Sequence, residues 1–388
     1  MNPTVISNDR LKDIPSLDWE CQDSDTRYLT HNIHRYSGKF IPQIASQVIS
    51  IVTKENDLIL DPYCGSGTTL LECLLNQRRS IGLDLNPLAV LISKVKTTKV
   101  ENKKLDQFLK TTKKELEPLS WVIQKDDLFG GQMNSITHAV QNDARWSDDW
   151  YKKWFNDTRK LELIAIDQYL SKIEDVKLRN IGLVALSDIL RSSSNAHSSY
   201  PNVMYDSKKN VTMPSTPKFI KRLEEICTSI NLLEKTAINF IPKVLMEDAR
   251  NIPIEDNSIN AVITHPPYIA SIPYAEYGVL SLRWLGCDPK KIDAILTGGM
   301  RHKKDVVERF SKDFRKTIEE CYRVLKSDGI FFMLLGNPTV DGCKIDLSQM
   351  AKEFSTSVGF KMASESYREG INRRANLMGK ETLLFFIK

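Results

Sequence analysis

No stretch of the chain approaches the roughly 18 uninterrupted apolar residues that a membrane helix needs, so no membrane span is expected. Met1 to Glu20 are polar and lack the apolar core of a signal peptide, and the protein is expected in the cytoplasm. Seven cysteines (Cys21, Cys64, Cys73, Cys227, Cys287, Cys321, Cys343) are scattered, odd in number and never spaced as CxxC. That pattern argues against a disulfide framework and a zinc site, leaving reduced cysteines that serve mostly as packing residues. Excess charge is also scarce: 54 Lys and Arg against 49 Asp and Glu give a net charge of +5. A mildly basic balance is compatible with a polyanionic partner without demanding one. Internal repeats and low-complexity tracts are missing. What remains is 388 residues, 41% of them hydrophobic, enough for one large domain or two ordinary ones with a sizeable core.

The most informative stretch is Asp61-Pro62-Tyr63-Cys64-Gly65-Ser66-Gly67-Thr68-Thr69. Asp57 to Leu60 before it reads as a buried strand and Leu70 to Leu75 after it as a helix. Glycines between a strand and a helix let the backbone approach a ligand closely, or simply make a tight turn. The absence of a P-loop lysine argues against a nucleoside triphosphate. Arg79 to Asp84 reads as a second strand ending in an acid, about 20 residues past the glycines, where dinucleotide-type folds hold ribose hydroxyls. Asn86-Pro87 then opens another helix, for which Asp84 is equally read as a cap.

Upstream, His31 to Pro42 is dense in His, Arg, Tyr, Lys and Phe and leads into a helix from Gln43 to Val52; Pro42 suits its first turn. Residues 1–30 read as an arm that packs late or stays loose. Residues 98–242 break the strand–helix alternation and read as a mainly helical insertion. Its Trp146, Trp150, Tyr151, Trp154 and Phe155 are expected in a core, and Arg191 to Tyr200, followed by Lys208, Lys209, Lys218, Lys221 and Arg222, as a flexible basic loop. Strand patterns resume at Lys243, with Glu247-Asp248-Ala249 after the first. Asn260 to Ile263 then runs straight into Thr264-His265-Pro266-Pro267-Tyr268. The predicted class is α/β, a doubly wound Rossmann-like sheet over 31–97 and 243–388.

Two prolines at a strand end remove two backbone donors and hold an aromatic ring rigidly beside free carbonyls, an arrangement that suits a planar ligand or merely ends a strand. Asp-Pro-Tyr-Cys-Gly-Ser-Gly-Thr-Thr followed by Thr-His-Pro-Pro-Tyr resembles the S-adenosylmethionine-dependent DNA methyltransferases that act on exocyclic amino groups. The resemblance covers about 31–97 and 243–387. It implies a cofactor site made of Tyr36, Gly38, Lys39, Phe40, Asp61, Pro62, Cys64, Gly65, Ser66, Gly67, Thr68, Thr69, Asp84, Asn86, Asp248 and Ala249. Gly65 and Gly67 would make room for the cofactor, Asp84 would hold its ribose, and Asp248 with Ala249 would meet its adenine. His265, Pro266, Pro267 and Tyr268 would be catalytic, with Tyr268 stacked on a flipped base and the amine held by His265 and the Pro266 carbonyl. Cys64 would not be a nucleophile.

His265 departs from the Ser, Asn or Asp usual in the family. A neutral imidazole accepts one hydrogen bond and a protonated one accepts none, so activity should fall as pH drops through its pKa. The preceding threonine brings the loop nearer the Ser-Pro-Pro-Tyr members, which favours cytosine N4 over adenine N6. Double-stranded DNA is the implied substrate and a restriction endonuclease the implied partner. DNA would be read by residues 98–242, chiefly Ser192 to Lys209, by Gly298 to Lys304, and by Arg368, Arg373 and Arg374 on phosphates. An RNA methyltransferase acting on a guanine amino group, or a catalytically degenerate cofactor- or DNA-binding subunit, are the alternatives. The glycine loop and His265 to Tyr268 should sit at adjacent strand ends with the methyl group between them.

Overall fold

The computed structural model describes residues 9–122, 138–200, 202–236, 240–269, 272–300, 302–369 and 380–388. Its centre is a seven-stranded sheet of β1 (Leu58–Asp61), β2 (Arg79–Leu83), β3 (Lys243–Leu245), β4 (Ile259–Thr264), β5 (Leu325–Gly336), β8 (Lys361–Arg368) and β9 (Glu381–Ile387). Between β5 and β8 lies a small hairpin of β6 (Thr339–Val340) and β7 (Cys343–Lys344). The order across the sheet is β3-β2-β1-β4-β5-β9-β8, parallel through β5 and antiparallel at its last two pairings. The fold is the predicted doubly wound α/β sheet of the Rossmann-like class. β1 pairs with β2 on one side and β4 on the other, so the chain reverses its direction of winding there. That is where an open α/β sheet forms a crevice at its carboxyl edge.

Alternation along the strands explains why both faces are covered. Ile59, Ala261, Ile263, Phe332 and Phe385 point to one face, under the helix Pro42–Val52 with its buried Ile44, Val48 and Ile49. Leu60, Val262, Phe331 and Met333 point to the other, under Val306–Val324. That helix buries Val306, Phe310, Phe314, Ile318, Cys321 and Val324, spaced three or four apart, while its other face stays polar. From residue 9 on, the N-terminal arm is packed, not loose. Leu11, Ile14 and Trp19 belong to the first of these cores, and Trp19 lies against Phe385 with ring centroids 6.2 Å apart.

Between Asn102 and Glu234 the described elements are helices, at Asn102–Val122, Ala144–Ser147, Asp149–Trp154, Asp157–Ser171, Val176–Ile189 and Ser215–Glu234. Their apolar residues do not close a core of their own. The cluster continues into Leu88, Leu91, Ile92 and Val95 of the helix Pro87–Lys96 and into Leu280, Leu282 and Trp284 of Val279–Trp284. Tyr151 and Phe155 pack edge-on against Trp284, so these insertion aromatics are core. The expected flexible basic loop is stapled from within. Arg191 donates to the carbonyls of His197, Tyr200 and Asn202, Lys209 to those of Arg191 and Ala196, and Lys218 to that of Ser192. These cations satisfy turn carbonyls and hold the loop in shape.

Candidate active site

The site grows out of the carboxyl ends of β1 and β4, which lie side by side with Ile59 opposite Ala261 and Leu60 opposite Val262. Asp61 ends β1 and Thr264 ends β4, and the Thr264 hydroxyl donates to Asp61 Oδ1 at 2.8 Å, so one hydrogen bond ties the glycine loop to the His-Pro-Pro-Tyr loop. Asp61 is buried, and burial pushes its carboxyl up to about 6 against the bonds from the Thr264 hydroxyl and the Tyr63 N–H.

The two loop glycines do different work. Gly65 (φ +49°) faces the cavity, where a Cβ would meet only the Tyr36 ring, at 3.6 Å. Gly67 (φ +79°) is the N-cap of the helix Thr68–Leu75, and a Cβ there would lie 2.3 Å from the Ser93 hydroxyl oxygen and 3.1 Å from the Ser93 Cα. The expectation that Gly67 makes room for the cofactor is therefore corrected: it makes room for the helix Pro87–Lys96. Cys64 is buried with its thiol pushed well up by that burial, so it is no nucleophile.

A cavity opens above these strand ends, lined by Tyr36, Gly38, Pro62, Tyr63, Gly65, Asp84, Leu85, Asn86, Glu247, Asp248, Ala249, His265, Pro267, Tyr274, Leu296 and Thr297. An adjoining recess is lined by Lys39, Phe40, Asp61, Cys64, Ser66, Thr68 and Thr69, with Tyr36, Gly38, Gly65 and His265 shared between the two. Asp84 accepts from the Gly65 N–H at 3.0 Å and the Asn86 N–H at 2.8 Å, one per oxygen, which leaves each oxygen a lone pair for a ligand hydroxyl. Burial pushes its carboxyl up to about 6, against the pull of those two bonds. Asn86 caps the next helix through Leu88 N–H and also reaches the Tyr36 hydroxyl. On the far wall, burial raises the Asp248 carboxyl, but the Arg250 guanidinium outweighs it and the net shift is downward. Arg250 holds both Asp248 oxygens at 2.7–3.0 Å and reaches Asp313 and the Ile295 carbonyl. The clamp fixes Asp248 at the rim. Sequence reasoning missed Arg250, although its place two residues after Asp248 was a usable signal, and missed Tyr274, at the start of the helix Tyr274–Tyr277, and Thr297, in the turn after the helix Pro289–Ile295, neither of which carries a local motif.

His265 and Pro267 line the cavity; Tyr268 does not. Its ring is turned into the core, 3% exposed, in a slot left by Gly336, where a Cβ would stand 3.3 Å from the ring. The expected stacking face of Tyr268 is thus buried in this structure. Its hydroxyl lies 2.6 Å from His265 Nε2 and 3.3 Å from Glu381 Oε1. Burial lowers the His265 pKa, helped by Arg368 and opposed by Glu381 and by a hydrogen bond to the Gly38 backbone, so the ring is neutral at neutral pH. Arg368, expected on phosphates, is buried and donates to Glu381 at 2.9 Å. Arg301, Arg373 and Arg374 lie outside the described residues; His302, Lys303 and Lys304 are exposed.

The loop carrying Tyr36 to Phe40 is held from both sides. Lys39 Nζ donates to the carbonyls of His31 and His34, so its ammonium stabilises the loop itself. His34 Nε2 is 2.8 Å from the Ser187 hydroxyl, and Asp188 accepts from the Arg35 N–H and ion-pairs with Arg222. The insertion therefore grips the loop that walls the cavity.

A family model described as DNA methylase matches residues 7–95. The type II methyltransferase M.MvaI of Kocuria varians is 26% identical over 405 residues, covering 91% of this chain and 86% of that protein. M.MjaII of Methanocaldococcus jannaschii, also a type II methyltransferase, is 22% identical over 92% of this chain and 80% of its own length. By this match and these relatives the chain is similar to DNA methyltransferases, the family its motifs resemble. Its cofactor is S-adenosylmethionine. A SAM-dependent methyltransferase from Methanosarcina mazei aligns over 88% of this chain and 96% of its own at 11% identity, with a TM-score of 0.35. The cavity's chemistry fits the cofactor: Asp84, Glu247 and Asp248 put negative charge beside a cationic ligand, and Leu85, Ala249 and Leu296 supply apolar wall for a purine. Among the described residues no helix is long and apolar enough to cross a membrane.

Proposed function

We propose that the protein methylates the exocyclic amino group of a base flipped out of double-stranded DNA, with cytosine N4 favoured over adenine N6, as the modification half of a restriction system. The observation that carries this reading is the single cavity lined by Gly65 and Asp84 on one side and His265 and Pro267 on the other. In this reading Asp84 accepts from the ribose hydroxyls and Ala249 and Asp248 flank the adenine. Tyr36, Gly38 and Phe40 close over the methionine end, where Asp61, Pro62, Cys64, Ser66, Gly67, Thr68 and Thr69 hold the loop's shape. The cofactor supplies an electrophilic methyl group on a sulfonium. The protein lines up the amine nitrogen behind it, a gain of proximity and orientation.

The exocyclic nitrogen is a weak nucleophile because its lone pair is delocalised into the ring. Accepting its hydrogens, at the Pro266 carbonyl and at His265, localises that pair. His265 Nε2 accepts from the amine only when the Tyr268 hydroxyl, 2.6 Å away, turns its hydrogen elsewhere. The relatives named as type II methyltransferases support the assignment to a restriction system, and the Thr-His-Pro-Pro-Tyr loop supports cytosine. A second reading, a subunit that binds cofactor without transferring its methyl group, is favoured by that same engagement of Nε2.

Methylation-aware sequencing of DNA from cells expressing the protein or its His265→Ala variant separates the readings. Methylcytosine at one recurrent sequence, lost in the variant, is expected. Methyladenine would move the target to N6, label in RNA alone would move the substrate, and unmodified nucleic acid despite cofactor binding would leave the non-transferring subunit.

A further inference from the structure

Three strand ends meet beneath the His-Pro-Pro-Tyr loop. Glu381 opens β9, opposite Gly336 of β5 on one side and Arg368 of β8 on the other. Both charged residues are 7% exposed and form an ion pair at 2.9 Å. Burying such a pair costs desolvation on both partners, and an apolar pair of similar size would stabilise the sheet at least as well. Its location is therefore informative. Glu381 Oε2 takes the Arg368 bond, and Oε1 faces the Tyr268 hydroxyl, which in turn faces His265 Nε2.

Counting hydrogens along this chain shows what it is built for. The bond to the Gly38 backbone favours the protonated ring, so one ring nitrogen donates there. With a neutral ring, Nε2 is then an acceptor, and the one Tyr268 hydrogen serves either Nε2 or Glu381. With a protonated ring, Nε2 donates to Tyr268, Tyr268 donates to Glu381, and every link is filled. The chain is one proton short of complete when His265 is neutral. Methyl transfer breaks the sulfur–carbon bond, forms the nitrogen–carbon bond, and leaves a cationic amine that must lose one proton.

We propose that Glu381, fixed by Arg368, is a positioning residue that takes the Tyr268 hydrogen and so leaves the lone pair of His265 Nε2 to accept from the amine and then to take up the proton the methylated amine gives off. The proposal rests on the reading of His265 to Tyr268 as the catalytic loop. Neither Glu381 nor Arg368 lines the cavity or its adjoining recess. Among the described residues, the other groups facing the pair are the Gly38 carbonyl, the Gly336 N–H, the Phe40 ring and the Tyr274 hydroxyl. None of these carries charge at neutral pH, so Glu381 and Arg368 set the local field.

The test is single-turnover transfer of tritiated methyl from S-adenosylmethionine to unmethylated DNA, followed from pH 5 to 9, with cofactor affinity and melting temperature measured alongside. Glu381→Gln should keep cofactor affinity within about twofold, lose roughly tenfold or more in rate at pH 7, and move the acid limb of the profile to lower pH. Arg368→Gln should move that limb to higher pH, and Glu381→Asp should restore part of the wild-type profile. Opposite displacements are a signature that a packing role does not give. Should Glu381→Gln fail to fold, Tyr268→Phe cuts the chain while keeping the ring, and must also move the limb to lower pH. Wild-type rates in Glu381→Gln, or equal losses at every pH with an unmoved limb, overturn the proposal. A wild-type protein that binds cofactor and labels no DNA overturns the catalytic reading beneath it instead.

Discussion

At Asp84 two backbone N–H groups and a desolvated setting act on one carboxylate in opposite directions, and desolvation wins. The carboxyl of this buried acid titrates near 6, so below that pH it is protonated and loses part of its capacity to accept from ribose hydroxyls. Cofactor affinity is accordingly expected to weaken as pH falls from 7 to 5, with a midpoint near 6 set by this group. Titration calorimetry of S-adenosylmethionine across that range checks it. Asp84→Asn should bind roughly tenfold or more weakly at pH 7, as expected for a lost charged hydrogen bond, and lose the Asp84-dependent step. An unchanged step in the variant would assign the titration elsewhere. Asp84 was legible from its distance past the glycines, and His265 and Pro267 from their strand-end motif. The burial of Tyr268 was not legible, because its slot is made by Gly336, 68 positions away, and its partner Glu381 comes from the last strand. Gly67 was misread for the same reason: a glycine that accommodates a neighbouring helix and one that accommodates a ligand look alike until Ser93 is placed.

At the scale of elements, strands were readable wherever apolar runs ended in an acid or a proline. β1, β2 and β4 each matched their patterns, since buried parallel strands are near-continuous hydrophobic runs. What the pattern could not supply was the way elements hold one another. Residues Val176–Ile189 grip His34 and Arg35, where the chain enters the Tyr36–Phe40 loop, through Ser187 and Asp188, each 153 positions past its partner. Asp188 joins Arg35 to Arg222 and lines none of the cofactor cavity. Its replacement by Ala should therefore loosen the loop and raise the KM for S-adenosylmethionine several-fold while the helices remain folded. Steady-state kinetics with circular dichroism measures both; an unchanged KM would mean that the loop holds its shape without the insertion.

Across the whole molecule, the N-terminal segment shows how far composition can mislead. A polar stretch with two prolines reads as a loose arm, yet three apolar residues at Leu11, Ile14 and Trp19 complete the cover of one sheet face. Trp19 also donates its indole N–H to the Ile14 carbonyl at 2.9 Å, so the segment folds on itself before it packs. Trp19→Ala should cost about 3–5 kcal/mol, the range for removing a large core aromatic, read as a lowered urea midpoint. A loss below about 1 kcal/mol, within the range of an ordinary surface substitution, would return the segment to the status of an appendage.

The helix Pro87–Lys96 belongs to two structures at once. Asn86 at its cap reaches the Tyr36 hydroxyl at the cavity wall, while Leu88, Leu91, Ile92 and Val95 lie in the cluster shared with the insertion. A chimaera that exchanged residues 98–242 for those of a relative, in the hope of transplanting a new target sequence, would strip this helix of its facing side chains. Any such transplant has to carry the apolar face of Pro87–Lys96 and the Leu280–Trp284 ridge with it. In this chain, altering the segment proposed to read DNA and reshaping the wall of the methyl-donor cavity are one engineering problem.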